Sequence, residues 1–535
     1  MRYNQLNHVL KSILVLVLLL IFSWLLYSKI LTKKERRSTH FMMSYPPAFE
    51  NLEPPPQSTK DSKGLGEDGV PVIINYANLT SHEKLEYDAG RKLVYLNTFA
   101  SDRISVRRYL SDKRAPECRA PKTYSNLPKT SVIIIFHNEV YSMLLRTLHS
   151  VLDRSDPDLL EEIILVDDAS DIDYINGRLQ DYLSYLPKVR LIRLTERAGI
   201  AKARMAGIHA ANVETLTFLD SHVEVLPGWL EPLLEQLQMD PKLIAVPIYL
   251  QISPENLSPD YRESFKRLVG GFRWNLEFFW QFNSPNYDNR PGSPYSPVIN
   301  PALVGGMFMI GKQFFNSLGN YDNTLGCDRF IHLELTLKAW LCHGSIFKVP
   351  CSSVGSVSNN LYQLRSDQAT KEIKLALDRI VYVWFDEYKI FYEDYAGQLF
   401  KDLGNLSGLI DFRVKNKCHN FKWFLENVYI DKFDPMTAVF RGQQKNITQS
   451  ISTIWYLSLG NYMQTEYGCI TTNQINNQTK IQKADCKRCF GLAKSFYNKK
   501  NRQIRIADKC LEMKMKPADI LLNPCKKGNE YQMLV

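Results

Sequence analysis

Between residues 131 and 219, short apolar runs alternate with stretches whose apolar positions recur at helical spacing. The runs Ser131 to Phe136, Glu162 to Val166, Arg190 to Leu194 and Thr215 to Leu219 predict strands, and Tyr141 to Leu152, Ile175 to Tyr185 and Gly199 to Ala211 predict helices between them. Strand and helix in regular succession predict a doubly wound α/β domain, a parallel sheet covered on both faces. Ligands in such sheets bind beyond the carboxyl ends of the strands. Phe136-His137-Asn138-Glu139, Asp167-Asp168 and Asp220-Ser221-His222 all fall at those ends, so three polar clusters converge on one crevice.

Other patterns flank this domain. Ser12 to Ser28 carries no charge and lies between Lys11 and Lys29, which predicts a spanning helix over 12–28 with a short tail, 1–11, before it. A cleaved signal peptide fits less well, because Lys29-Ile30-Leu31-Thr32-Lys33 offers no small-residue cleavage pattern. Residues 29–114 read as a stem: the early part is polar and turn-rich, with Pro46-Pro47, Pro54-Pro55-Pro56, Gly64 and Gly66. The cations Lys29, Lys33, Lys34, Arg36 and Arg37 after the span outnumber Arg2 and Lys11 before it, which by the positive-inside rule places the N-terminus outside. Ten cysteines, nine of them from Cys327 onward, and sequons at Asn78, Asn256, Asn405, Asn446 and Asn477 instead place the body in an oxidising lumen.

Composition narrows the classes. A chain of 535 residues that is 45% hydrophobic and 23% charged is globular, with room for two or three domains. The net charge of +10 is scattered, with no basic stripe interleaved with aromatics, so nucleic acid is not the expected partner.

Each strand-end cluster also has a plain structural role available. Asp167-Asp168 before Ala169-Ser170 suits a helix cap, and His137 suits a hydrogen-bonded loop histidine. Their convergence favours a nucleotide-type site. Asp220 and His222, one residue apart after an apolar strand, offer an oxygen and a nitrogen to a borderline divalent ion such as Mn²⁺ that also holds a diphosphate. Such an ion needs at least a third protein ligand.

Thr130 to Glu139, Leu144-Leu145-Arg146-Thr147, Glu162 to Ser170, Phe218 to His222, Gly228 to Leu234 and Val304-Gly305-Gly306-Met307-Phe308 together resemble the polypeptide N-acetylgalactosaminyltransferases. The likeness runs from about Ala115 to the C-terminus. It implies a GT-A type glycosyltransferase domain over 115–445 and a truncated all-β ricin-type trefoil over 446–535. It also implies a type II Golgi membrane protein that transfers GalNAc from UDP-GalNAc to Ser or Thr of acceptor polypeptides with Mn²⁺, retaining configuration. By position, His137 and Asp168 would lie against uracil and ribose, Arg197 near the nucleotide, Ser221, Gly305 and Gly306 along the sugar-nucleotide, and Asp220 and His222 on the metal.

Two places depart from the family pattern. Where the family's Val-Gly-His completes the metal site, this chain has Val354-Gly355-Ser356, and the Arg shortly beyond corresponds to Asn359. The Trp-Gly-Gly-Glu-Asn loop is replaced by Asp328-Arg329-Phe330-Ile331-His332, so Ile331 stands where the family has its loop carboxylate. Loss of one pre-organised electrostatic partner costs on the order of 10² to 10³ in rate. Two readings follow: a transferase with weak or lost activity, or a non-catalytic relative that binds nucleotide sugar, acceptor protein or another transferase. His332 or Asp328 are the available substitutes for a metal ligand.

The resemblance also implies the disulfides Cys118–Cys351, Cys342–Cys418, Cys469–Cys486 and Cys510–Cys525, leaving Cys327 and Cys489 over. Gly468 to Val535 has room for about two trefoil lobes where three close the barrel. The sugar-binding Cys-Leu-Asp triplets appear as Cys469-Ile470-Thr471 and Cys510-Leu511-Glu512, and no tryptophan follows Trp455. Glycan binding by this module is therefore not expected.

Overall fold

The computed structural model describes residues 53–437 except 121, 123, 173–176, 263–266, 283–293, 323–329, 358–366 and 433, and beyond them the backbone of nine strands between 438 and 524. Among the described residues no helix is long and apolar enough to cross a membrane. The expected span at 12–28 lies outside them.

Eleven strands build the main body: β1 Thr130–Phe136, β2 Leu160–Asp167, β3 Val189–Arg193, β4 Thr215–Asp220, β5 Val223–Val225, β6 Leu243–Ile252, β7 Leu268–Phe272, β8 Phe278–Phe282, β9 Val298–Ile299, β10 Phe308–Gly311 and β11 Ser345–Val357. The main sheet runs β3-β2-β1-β4-β10-β6-β11-β5, with β9 paired to β11, and β7 and β8 form a separate hairpin. Alternation along the strands builds two cores. Val132, Ile134, Ile163 and Leu165 face the helices Tyr141–Arg154 and Glu231–Met239, whereas Ile133, Ile164, Val166, Leu216 and Phe218 face Ile200–Ala210 and Phe330–Leu341.

The sheet is parallel only through β3-β2-β1-β4. β10 lies antiparallel to both β4 and β6, and β11 is parallel to β6 but antiparallel to β5. The expected all-parallel sheet is thus a mixed one. The chain leaves β6, makes a long excursion through β7 and β8, and re-enters next to β4 from the opposite direction, where Phe308 packs on Phe218 at 4.9 Å between ring centres.

The stem expected over 29–114 ends earlier. Val72, Leu96, Ala100 and Ile104 are buried against Val140, Met143, Ile252, Leu257 and Val357. Helix Ser81–Leu93 starts from a Thr80/Glu83 capping box. Arg108, wholly buried, donates to both Glu224 carboxylate oxygens at 2.6 and 3.0 Å and to the Leu257 carbonyl at 2.9 Å. The segment's charge masks its role in sequence, because Arg108 is consumed inside the fold.

Cys118 is bonded to Cys351 and Cys342 to Cys418. Further along, the strands from Ala438–Gln444 to Ile520–Pro524 pair antiparallel throughout. Cys486, Cys525, Cys327 and Cys489 lie outside the described residues, so the two remaining expected bridges do too.

Candidate nucleotide-sugar site

The register of the central strands sets Ile135 beside Asp220 and Phe136 beside Asp167, so the three polar clusters share one edge of the sheet. His137 Nδ1 lies 2.9 Å from the Asp168 carbonyl oxygen. Asp168, 1% exposed, accepts from Arg197 Nη1 at 2.5 Å, from the Ala198 amide at 2.7 Å and from the Gly199 amide at 3.0 Å. Those amides open the helix Ile200–Ala210, so Asp168 is both a helix-end anchor and the centre of a His137–Asp168–Arg197 cluster. Asp167 points elsewhere, accepting from the Ser170 amide and from Arg193.

Asp220 ends β4 facing Gly306, two residues ahead of β10. A Cβ added at Gly306 would collide with Asp220 Oδ1 and Arg204 Nη2, and Gly305 holds a φ of 91°, so each glycine has a steric reason. Next to Asp220, Glu139 Oε2 accepts from Ser221 Oγ at 2.6 Å and lies 3.0 Å from His222 Nδ1. Burial opposes charge on His222, but the bonded Glu139 carboxylate and nearby Asp220 outweigh it and hold its pKa at about 9. Glu139 is correspondingly held below the ordinary carboxylate range despite its burial.

Ser356 sits where the sequence places the third metal ligand: it is paired with Val223, and the amide of the following Val357 donates to the His222 carbonyl at 3.1 Å. Ser356 is 3% exposed and bonded to the Tyr249 hydroxyl, whose ring stacks on Trp280. Among the described residues no three His, Cys, Asp or Glu side chains gather as metal ligands. Asp220 and His222 with a neutral, already bonded hydroxyl fall one donor short of what a Mn²⁺ ion requires, so the residues present do not fit a complete site.

Ile331 and His332 are not presented to this edge by a loop. Both lie in the helix Phe330–Leu341, Ile331 fully buried in the core and His332 edge-on to Phe308. Burial, with the Arg204 guanidinium next, pushes the His332 pKa well below its usual value, so its imidazole is neutral. It faces Arg204 rather than Asp220 and supplies no replacement ligand. Asp328, Arg329 and Asn359 lie outside the described residues.

Sequence reasoning assigned no role to Glu139, Arg204 or Tyr249. Glu139 was visible as the last polar residue of a strand-end cluster. Arg204 was visible as a cation on a helix otherwise rich in alanine. It is 1% exposed, donates to the Gly306 carbonyl at 3.0 Å and lies over the Phe218 ring.

Residues 131–316 match the model of the glycosyl transferase family 2. The chain is 38% identical over 388 residues to polypeptide N-acetylgalactosaminyltransferase 5 of Caenorhabditis elegans, covering 72% of this chain and 62% of that protein. It is 39% identical over 384 residues to polypeptide N-acetylgalactosaminyltransferase 3 of Taeniopygia guttata, covering 69% and 62%. The rat polypeptide N-acetylgalactosaminyltransferase 5 matches at 39% over 385 residues, covering 71% and 40%. The chain thus spans less than two thirds of the length of these curated relatives. The crystal structure of GalNAc-T7 with UDP, GalNAc and Mn²⁺ superposes with a TM-score of 0.68 at 26% identity, covering 91% of this chain and 94% of that one.

Proposed function

We propose that the chain belongs, over the segment it shares with these relatives, to the polypeptide N-acetylgalactosaminyltransferase family, and that it binds UDP-GalNAc while transferring the sugar to Ser or Thr of polypeptides weakly or not at all. The observation that carries this reading is the contrast within one crevice. His137, Asp168 and Arg197 form a bonded cluster at the strand ends, whereas the third metal position is Ser356 and the loop-carboxylate position is the buried Ile331.

His137 and Asp168 would hold uracil and ribose, Arg197 the nucleotide edge, and Ser221, Gly305 and Gly306 the sugar-diphosphate. When bound, Mn²⁺ would neutralise the diphosphate. With Asp220 and His222 as its protein ligands that hold is weak, and no step is assigned to it. The non-catalytic alternative, a protein that engages nucleotide sugar, acceptor or another transferase, is favoured by the placement of Ile331 inside the core.

A type II Golgi protein with its body in the lumen belongs to the same proposal. The two disulfides of the described fold suit an oxidising compartment. A partial ricin-type trefoil after the transferase domain is supported by a repeated register. Cys469 pairs with Ala484 and Cys510 with Asn523, so in both repeats the expected bridging cysteine, Cys486 or Cys525, follows the register partner by two residues.

The test is UDP binding by calorimetry with and without Mn²⁺, beside UDP-GalNAc turnover against mixed Ser/Thr peptides, for wild type and a Ser356→His, Ile331→Glu double variant. Wild type is expected to bind UDP with little Mn²⁺ dependence and negligible turnover. Wild-type turnover that the double variant does not improve overturns the reading, as does an absence of UDP binding.

A further inference from the structure

Far from the crevice, the end of the helix Phe330–Leu341 carries a strained histidine. The Gly344 amide donates to the Ala339 carbonyl at 2.8 Å, the closing bond of a Schellman turn that puts His343 at the left-handed position. His343 has a φ of 69°. Glycine takes that conformation without steric cost, whereas most other residues resist it, although histidine is tolerated there more often than most. An outlier of this kind invites the question of what the side chain does.

It meets a second imidazole. The His343 and His419 ring centres are 4.8 Å apart with planes at 78°. Each histidine immediately follows one half of the Cys342–Cys418 disulfide, which fixes the spacing of the two backbones. His419 is further held by its backbone N–H, which donates to the Leu341 carbonyl at 2.7 Å, and by stacking on Trp423 at 4.0 Å between ring centres. Two imidazoles bound to one tetrahedral ion have ring centres about 5 Å apart, because each Zn–N bond is about 2.0–2.1 Å. The observed separation meets that requirement without rearrangement of either backbone.

We propose that His343 and His419 form a two-histidine site for a borderline divalent cation, of which Zn²⁺ is the probe. Imidazole nitrogen is the ligand such ions prefer. With two protein donors the remaining positions belong to water, so the site is open and exchangeable. A bound ion would clip the C-terminal end of the helix that begins at Phe330 to the loop that opens the helix Phe421–Asn427. This proposal is independent of the donor site and of whether the chain transfers sugar.

The experiment titrates Zn²⁺ into the purified full chain, wild type, His343→Gly and His419→Gln, read by calorimetry and by thermal unfolding. At Zn²⁺ about tenfold above Kd the wild type is expected to gain roughly 2 °C in Tm. Both variants lose that gain, while metal-free His343→Gly unfolds no earlier than wild type because its turn is relaxed. Equal Zn²⁺ responses in all three proteins, or none in the wild type, overturn the proposal.

Discussion

Asp168→Asn separates a helix anchor from a ligand-binding group. The carboxylate serves three donors, with Ala198 on Oδ1 and Arg197 and Gly199 on Oδ2. Asparagine keeps one acceptor oxygen. In its better orientation that oxygen retains Arg197 and Gly199, while the new amide N–H₂ faces the Ala198 N–H. One charge-assisted bond, about 1.5–3 kcal/mol, is then lost and a buried donor is stranded at a similar cost, so the net destabilisation is about 3 kcal/mol after partial relaxation. Guanidinium unfolding should show that loss, with Tm falling by roughly 3–4 °C. The same variant, still folded at 20 °C, should bind UDP at least about tenfold more weakly in calorimetry, because the carbonyl that holds His137 shifts with the helix end. A stability change under about 1 kcal/mol refutes the anchor argument. An unchanged UDP affinity in the folded variant shows that Asp168 is an anchor alone.

Three further outcomes are expected. Ser356→His supplies the missing donor beside His222, and Mn²⁺ should then tighten UDP binding by about tenfold or more, measured by calorimetry with and without the ion. Arg108→Met strands the buried Glu224 with Arg154, 3.8 Å away, as the nearest remaining ion-pair partner, and should cost about 3–5 kcal/mol in denaturant unfolding. His149 is 2% exposed and bonded to the Tyr182 hydroxyl; burial, ahead of its charged neighbours, pulls its pKa down to about 4. Between pH 6.5 and 4 the unfolded chain takes up a proton that the folded chain refuses, so stability should fall with pH across that window by about 3 kcal/mol in all, and His149→Gln should flatten that limb.

The first four strands were legible to within two residues because their apolar runs are bounded by polar clusters and separated by helical spacing. β10 was not, since Phe308–Gly311 is only four residues long and its direction depends on an excursion that periodicity does not encode. The segment 72–110 hid its burial behind charge: Arg108 reads as a stem cation and is in fact neutralised by Glu224, 116 residues away. Within the crevice, residue types announced Asp220 and His222, but the bond that orients His222 comes from Glu139 on another strand's loop, a pairing visible only in three dimensions. Ile331 and His332 were read as loop positions for a different reason: the apolar residues there extend the next helix, which is buried on all sides from Ile331 to Leu341, and the segment follows it inward.

The Cys118–Cys351 bond closes a span of 233 residues. At a synthesis rate of about 5–20 residues per second, Cys351 emerges roughly 12 to 47 s after Cys118. Cys327 and Cys342 emerge before Cys351, so strict pairing in order of appearance would join the wrong sulfurs. In the oxidising compartment proposed above, native pairing then calls for thiol exchange, and the yield of folded protein should track isomerase supply more closely than oxidant supply.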